Sequence, residues 1–170
     1  VVKMAKEISD FMNITPDKQR MDSLMVAANI RNLSLLELFY TCVSNLCKIM
    51  NERGTKIPDE QHHYIEKDDY NKCIYHKRDM DATERTIVVM KDADILIKIC
   101  DSTGDFDDTS EYQLLIRLLK EHTIIDDDGS RRLRQKEEVE NPSEVLLNPS
   151  DPEATFRYKA GGKHLGYVGN

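Results

Sequence analysis

A carboxylate inside an apolar stretch is the strongest chemical signal in this sequence. Residues 19–26 read Gln-Arg-Met-Asp-Ser-Leu-Met-Val, which predicts a short, largely buried strand with Asp22 near its centre. At a period of two, Asp22 shares a face with Leu24 and Val26. A carboxylate in such a place costs several kcal/mol unless it is paired, hydrogen-bonded or bound to a metal. Asp22 is therefore either bonded to nearby backbone or to Arg20, or it is a metal ligand.

A basic β-hairpin at residues 155–168 is the second signal. The sequence alternates around Gly161-Gly162, a pair typical of a two-residue hairpin loop. With these glycines as the loop, Tyr158 pairs with Leu165, and an aromatic-aliphatic face packs while a basic face looks outward. The candidate phosphate contacts on this hairpin are Arg157, Lys159 and His164, with Lys163 near the turn.

An acidic loop at residues 101–111 has residue types that bind calcium but not the spacing that a calcium loop needs. In an EF-hand template begun at Asp101, Phe106 occupies the sixth position, where glycine is required. Tyr112 occupies the twelfth position, where a bidentate glutamate is required. We therefore expect a solvated loop whose Asp, Thr and Ser residues cap the following helix.

Other metal and nucleophile patterns fail on spacing. Four residues of the types that bind zinc lie in the polar segment 59–80, but their spacing fits no structural zinc pattern. We therefore expect the histidines among them to lie at the surface. The four residues are His62, His63, Cys73 and His76. The sequence has no Gly-x-Ser-x-Gly elbow and no phosphate-loop or dinucleotide glycine pattern. The positive charge of the basic run at residues 131–136 is balanced by the glutamates that follow it, which favours a solvated face over a nucleic-acid site.

The four cysteines suggest no disulfide framework. None of them forms a Cys-x-x-Cys pair, and a chain of 170 residues with 39% hydrophobic residues needs no disulfides to fold. We expect reduced, mostly buried thiols at Cys42, Cys47, Cys73 and Cys100.

Three long helices are predicted between the two chemical signals. The first begins at Ser34, which has capping-box spacing to Glu37, and ends before Gly54. The other predicted elements are a helix over residues 83–100, a helix over 111–122, a short helix around 67–76 and a turn at 126–130. A β-branched run in the second long helix leaves a strand open as an alternative for part of it.

The net charge of −7 is distributed unevenly along the chain. Residues 51–130 contain eleven Lys or Arg against twenty Asp or Glu, whereas residues 155–170 contain three basic residues and no acidic one. A net negative charge argues against nucleic-acid binding, but here the acidity belongs to the middle of the chain. Mixed charge and an average apolar content argue against wholesale disorder, and no apolar run is long enough for a transmembrane helix.

Two stretches resemble DDE-type transposases of bacterial insertion sequences. Residues 19–38 resemble the region around the first catalytic aspartate of that family. Residues 146–157 contain Asn-Pro-Ser-Asp-Pro-x-Ala-Thr, and with the Gly-Tyr strand that follows they resemble the segment before the second aspartate. The two stretches lie at opposite ends of the chain, and the middle offers no comparable motif.

The resemblance implies a ribonuclease H-like catalytic domain. In that family, three carboxylates hold two divalent ions, Mg²⁺ or Mn²⁺, that serve DNA cleavage and strand transfer. Asp22 matches the first carboxylate and is thereby the implied catalytic and metal-binding residue. The second aspartate and the glutamate are expected beyond Asn170, so the fragment by itself is expected to be inactive. Asp151 belongs to the Asn-Pro-Ser-Asp-Pro motif and does not take that role, and Met25 stands where many relatives have histidine.

The expected fold class is α+β, a mostly helical insertion flanked by strands of a partial ribonuclease H-like sheet. Residues 1–30 would form the end of a preceding helical region and the first strand, 31–145 the insertion, and 146–170 a truncated β-hairpin. The implied partner is DNA, as transposon ends and target, with a homo-oligomer as a further option and no membrane. The implied location is the bacterial cytoplasm. The alternative is a non-catalytic helical module that mediates self-association.

Overall fold

Three long helices form the body of the protein. The computed structural model describes residues 34–76, 80–139, 142, 144–153, 155–159 and 162–166, the last two ranges as backbone. The long helices are α1 (Leu35–Glu52), α3 (Ala82–Thr103) and α4 (Ser110–His122). Both α3 and α4 pack against α1, so α1 is the central helix. The three predicted long helices are therefore confirmed.

The capping box predicted for α1 is confirmed. The Ser34 Oγ accepts a hydrogen bond from the Glu37 amide at 3.3 Å, and the Glu37 carboxylate accepts one from the Ser34 amide at 2.9 Å. Along α1 the side chains of Phe39, Val43 and Leu46 are fully buried. Because α1 has neighbours on most sides, its buried surface is wider than the single stripe of an ordinary amphipathic helix.

The β-branched run of α3 is helical, so the alternative of a strand there is wrong. Asp81 and Glu84 form a capping box at the start of α3, and Gly104 ends it with a positive φ of 69°. The inner face of α3 packs on α1 through fully buried Ala93 and Leu96. Good caps at both ends and a packed face outweigh the weak strand preference of the four β-branched residues at 86–89.

The segment between α1 and α3 is a chain of short helical turns. It consists of a 3₁₀ helix (Asp59–Ile65), α2 (Asp69–Asn71) and a π-helical turn (Lys72–His76). The short helix predicted around residues 67–76 is thus present, although it is divided between two hydrogen-bonding patterns. Tyr64 of the 3₁₀ helix and Cys73 of the π-helical turn are buried and join the core.

The acidic loop before α4 is held by an aromatic side chain, and the expected capping by its polar residues is wrong. Thr109 occupies the N-cap position, but its hydroxyl donates to the Phe106 carbonyl at 2.7 Å and does not cap α4. Phe106 is fully buried, and the Arg53 guanidinium lies 5.2 Å from its ring centroid. The loop is therefore fixed by burial of Phe106 and a cation–π contact.

A small antiparallel hairpin follows α4. Its strands β1 (Thr123–Ile125) and β2 (Arg131–Leu133) flank the predicted turn at residues 126–130. The turn contains Gly129 at a φ of 82°, which favours glycine. These three-residue strands were not predicted, because they are too short to show a period of two.

The chain returns to the helical body at residues 144–152. Leu146 is fully buried, and its amide donates to the Glu121 carboxylate at 2.7 Å. The Arg117 guanidinium donates to the carbonyls of Pro152 and Glu144 at 3.1 and 3.0 Å. One arginine of α4 therefore holds both ends of the returning segment.

A second hairpin joins β3 (Thr155–Lys159) to β4 (Gly162–Gly166). The predicted hairpin is present, but the predicted register is wrong. Tyr158 pairs with Lys163 and not with Leu165, so the two-residue connection is residues 160–161 and not Gly161-Gly162. The shift places Gly162 in the strand, and because it moves each pair by two residues it leaves the division of positions between the two faces unchanged.

At the coarse level the α+β class is correct: the described part of the chain is mostly helical and has two two-stranded antiparallel sheets. All four cysteines are free and buried, as predicted. Burial raises the pKa of Cys42 and Cys47 to about 12 and that of Cys100 to about 11. None of the described helices combines the length and the apolar character needed to cross a membrane.

Candidate functional site

The predicted site residues fall in two parts of the chain. Asp22 lies outside the described residues. In the second hairpin, Arg157 is paired with His164, while Lys159 is paired with Gly162. Positions 157, 159 and 164 thus share one face of the ribbon by strand alternation, and position 163 belongs to the other face. The backbone therefore brings three of the four predicted phosphate contacts to one face.

A polar groove lies between the helical body and the returning segment. Its volume is about 510 Å³, and it is lined by α1, by the end of the 3₁₀ helix with the residues after it, and by the turn at residues 148–150. We call it the polar groove. Its polar lining includes Asn45, Lys48, Lys67, Asn148 and Ser150.

The wall at residues 148–151 is a tight turn of the Asn-Pro-Ser-Asp-Pro motif. The Asn148 Oδ1 accepts from the Ser150 amide at 2.9 Å, and the Asn148 carbonyl accepts from the Asp151 amide at 3.1 Å. Pro149 is buried between them. This arrangement is an Asx turn, in which the asparagine side chain fixes the backbone two residues on. The motif therefore builds a rigid wall of the groove.

The floor of the polar groove rests on tyrosine–carboxylate hydrogen bonds. The Asp69 Oδ2 accepts from the Tyr40 hydroxyl at 2.5 Å and lies 2.7 Å from the His63 Nδ1. Burial, with the neighbouring Asp69, raises the pKa of Tyr40 well above its usual range. Tyr40 consequently stays protonated and acts as a fixed donor.

A second carboxylate is used in the same way deeper in the body. The Asp92 carboxylate accepts from the Tyr64 hydroxyl and from the Gln61 amide, both at 2.7 Å. Burial and then Asp92 raise the pKa of Tyr64 far above its usual range. These carboxylates satisfy buried donors, which leaves few lone pairs for a cation.

Within the described ranges, no three His, Cys, Asp or Glu side chains are placed to hold a metal ion. The four residues of the types that bind zinc lie in different environments. His62 and His76 are exposed, His63 is bonded to Asp69, and Cys73 is buried. The expectation of surface histidines is therefore correct for His62 and His76, whereas His63 is half-buried. These four side chains therefore form no common metal site.

The basic run that begins in β2 is partly exposed, and its arginines make structural contacts. Arg131 forms an ion pair with Asp94 at 2.8 Å. Arg132 reaches Glu138, also at 2.8 Å, and holds the pKa of that carboxyl at about 2. Arg134 donates to the Thr123 carbonyl at 3.0 Å. The guanidinium groups are therefore occupied by the protein's own acceptors.

The polar groove was not predicted from the sequence. One of its walls, at residues 148–150, belongs to the Asn-Pro-Ser-Asp-Pro motif. The lysines of the groove, Lys48 and Lys67, come from separate segments and follow no recognisable spacing. Of the residues that line the groove, only those in the Asn-Pro-Ser-Asp-Pro string belong to a motif that can be recognised in the sequence. No family model matches the chain, and neither a curated protein nor a solved structure matches it.

Proposed function

We propose that this chain is part of a DDE-type transposase of a bacterial insertion sequence. The helical body is an insertion within a ribonuclease H-like catalytic domain, and Asp22 is the first metal-binding carboxylate. The full-length protein cleaves DNA and transfers strands with Mg²⁺ or Mn²⁺.

The observation that carries this proposal is that the segment leaving the helical body, at residues 148–150, lies beside the first helix of that body, α1. Asn148 and Ser150 line the polar groove together with Thr41, which lies seven residues after the Ser34 cap. Seven residues of an α-helix span about 10 Å. A unit whose two ends lie close together can interrupt another fold without distorting it, as tolerated domain insertions do. This geometry supports an insertion between two strands of a sheet.

The position of the second hairpin gives further support. β3 begins at Thr155, directly after the Asn-Pro-Ser-Asp-Pro turn, and β4 follows it after two residues. The resemblance implies strands of the catalytic sheet at this point. The hairpin also holds the basic residues of the C-terminal segment, whereas the arginines of the 131–134 run are occupied within the body.

The catalytic role of Asp22 is tested in the full-length protein. Asp22→Asn should reduce cleavage of DNA that carries the transposon ends to background, because the neutral amide binds a divalent ion far more weakly than a carboxylate does. Cleavage is measured on labelled DNA with Mg²⁺ and with Mn²⁺. Asp17→Asn, which changes a nearby carboxylate with no assigned role, is the control and should retain activity. Cleavage by the Asp22→Asn protein at the normal rate would reject the assignment.

The hairpin is tested by DNA binding. Arg157→Gln with Lys159→Gln should weaken binding of the full-length protein to duplex DNA and make it less sensitive to salt. The slope of log K against log salt should fall by about 1.8, since each phosphate contact on B-DNA contributes about 0.9. The control is Lys91→Gln with Lys98→Gln, two exposed lysines of α3. An unchanged slope for the hairpin variant contradicts the phosphate-contact role.

A further inference from the structure

The polar groove combines four side chains whose hydrogen-bond donors have no partner within the described ranges of the chain. Lys48, Lys67, Asn45 and the Ser150 hydroxyl line it, and none of them makes a side-chain hydrogen bond or ion pair among the residues that the structure describes. The other hydroxyls in the lining are already used. Thr41 donates to the Glu37 carbonyl at 2.7 Å, and Ser44 donates to the Tyr64 carbonyl at 2.8 Å.

The open donors come from different walls of the groove. Asn45 and Lys48 are three residues apart on α1 and therefore neighbours on one face of that helix. Lys67 lies on the segment after the 3₁₀ helix, and Ser150 lies on the Asx turn. Two of these walls are held in place independently, α1 by burial in the core and the turn by Asn148 and Arg117. The donors are thus presented by a preformed frame.

The lining of the groove is less acidic than the segment beside it. Two lysines and one carboxylate, Glu66, line the groove. The surrounding segment, residues 51–130, has nine more acidic than basic residues. A surface of that sign repels anions in general, so an anion would bind only where cations and donors converge.

We propose that the polar groove binds a phosphate group through Lys48, Lys67, Asn45 and Ser150. Lysine is a common phosphate-binding residue, and amide and hydroxyl donors complete such sites. The groove's volume of about 510 Å³ lies within the range of roughly 300–1,000 Å³ found for small-ligand pockets, so it has room for one nucleotide unit. The phosphate comes from a DNA strand or from a free phosphate monoester. The DNA source rests on the proposed function.

The test uses the 170-residue chain and two probes. One probe is a single-stranded DNA 12-mer without terminal phosphates, and the other is thymidine 5′-monophosphate. Binding is measured by titration at several salt concentrations. Lys48→Gln with Lys67→Gln should weaken DNA binding about tenfold at low salt, and the slope of log K against log salt should fall by about 1.4, as expected for two lost single-strand contacts. Lys91→Gln with Lys98→Gln removes the same charge from an exposed face of α3. This control should leave the DNA affinity within twofold of that of the unchanged chain and should leave the salt slope unchanged.

The outcomes separate the phosphate site from the proposed function. Binding of both probes or of the 12-mer alone, lost in the groove variant only, supports a site for DNA. Binding of the monophosphate alone, lost in the groove variant only, supports the phosphate site with a free ligand and rejects the DNA source, whatever Asp22→Asn does to cleavage. Equal losses in the two double variants, or no binding of either probe, overturn the proposal. Thermal unfolding of each variant checks that the fold is intact.

Discussion

At the scale of single residues, the core is held by polar groups as well as apolar ones. Glu37 is buried, with 7% of its surface exposed, and its carboxylate accepts from Ser34 at the helix start and from Tyr70 across the core. The sequence predicted the capping part of this role from the spacing of residues 34 and 37. It did not predict the tyrosine, because that contact joins residues 33 apart.

The half-buried His122 predicts a pH dependence of stability. Burial lowers its pKa, Arg134 adds to the effect and Glu121 opposes it. Its Nε2 has no hydrogen-bond partner in the described part of the chain. The unfolded chain binds the proton more readily, so this contribution to stability is complete above the unfolded pKa of about 6.5 and is lost as the pH falls below it, by at most about 1.4 kcal/mol per pH unit.

This dependence is measured by urea unfolding of the chain at pH 7.5 and pH 5.5. His122→Gln should reduce the loss of unfolding free energy between the two values, because the amide does not titrate. His62→Gln, at an exposed position, should leave that loss unchanged. If the His122→Gln chain loses as much stability as the unchanged chain, the group responsible lies elsewhere.

At the scale of elements, Arg117 joins α4 to the returning segment. It forms an ion pair with Glu121 at 2.6 Å in addition to its bonds to the Pro152 and Glu144 carbonyls. Glu121 in turn accepts from the Leu146 amide. One i,i+4 pair on α4 therefore fixes three points of residues 144–152.

Arg117→Ala should loosen that segment without unfolding α4. The two lost bonds to backbone carbonyls correspond to roughly 1–3 kcal/mol of local stability. Hydrogen–deuterium exchange should show faster exchange at residues 144–152 and little change in α1. Lys120→Ala, an exposed lysine on the same helix, is the control. Unchanged protection of residues 144–152 in the Arg117→Ala chain would show that burial of Leu146 alone holds the segment.

The sequence was most informative where a signal is local. The capping box at Ser34 and the 3.6-residue period placed α1 within a residue or two of its observed ends. The strands β1 and β2 were missed because three residues cannot show a period. The register of the second hairpin was misplaced because three consecutive residues, Ala160 to Gly162, are all small enough for a tight turn.

At the scale of the whole molecule, charge is arranged by tertiary contacts and not by composition. The 131–134 run reads as basic, yet Arg131 is paired with Asp94 from α3, 37 residues away. Lys48 on α1 and Lys67 after the 3₁₀ helix are without an ion pair within the described ranges. The polar groove could not be predicted because its three walls come from three segments that only the fold brings together.

The open turns of the helical body have an evolutionary consequence. Its turns at Gly54, Gly104 and Gly129 are open, with no heavy atom within 4 Å of the place where a Cβ would stand. Residues can be added or lost at such turns while the two points of attachment keep their separation. If the body is an insertion, as proposed, its length would vary between relatives at these turns while the flanking motifs stay constant.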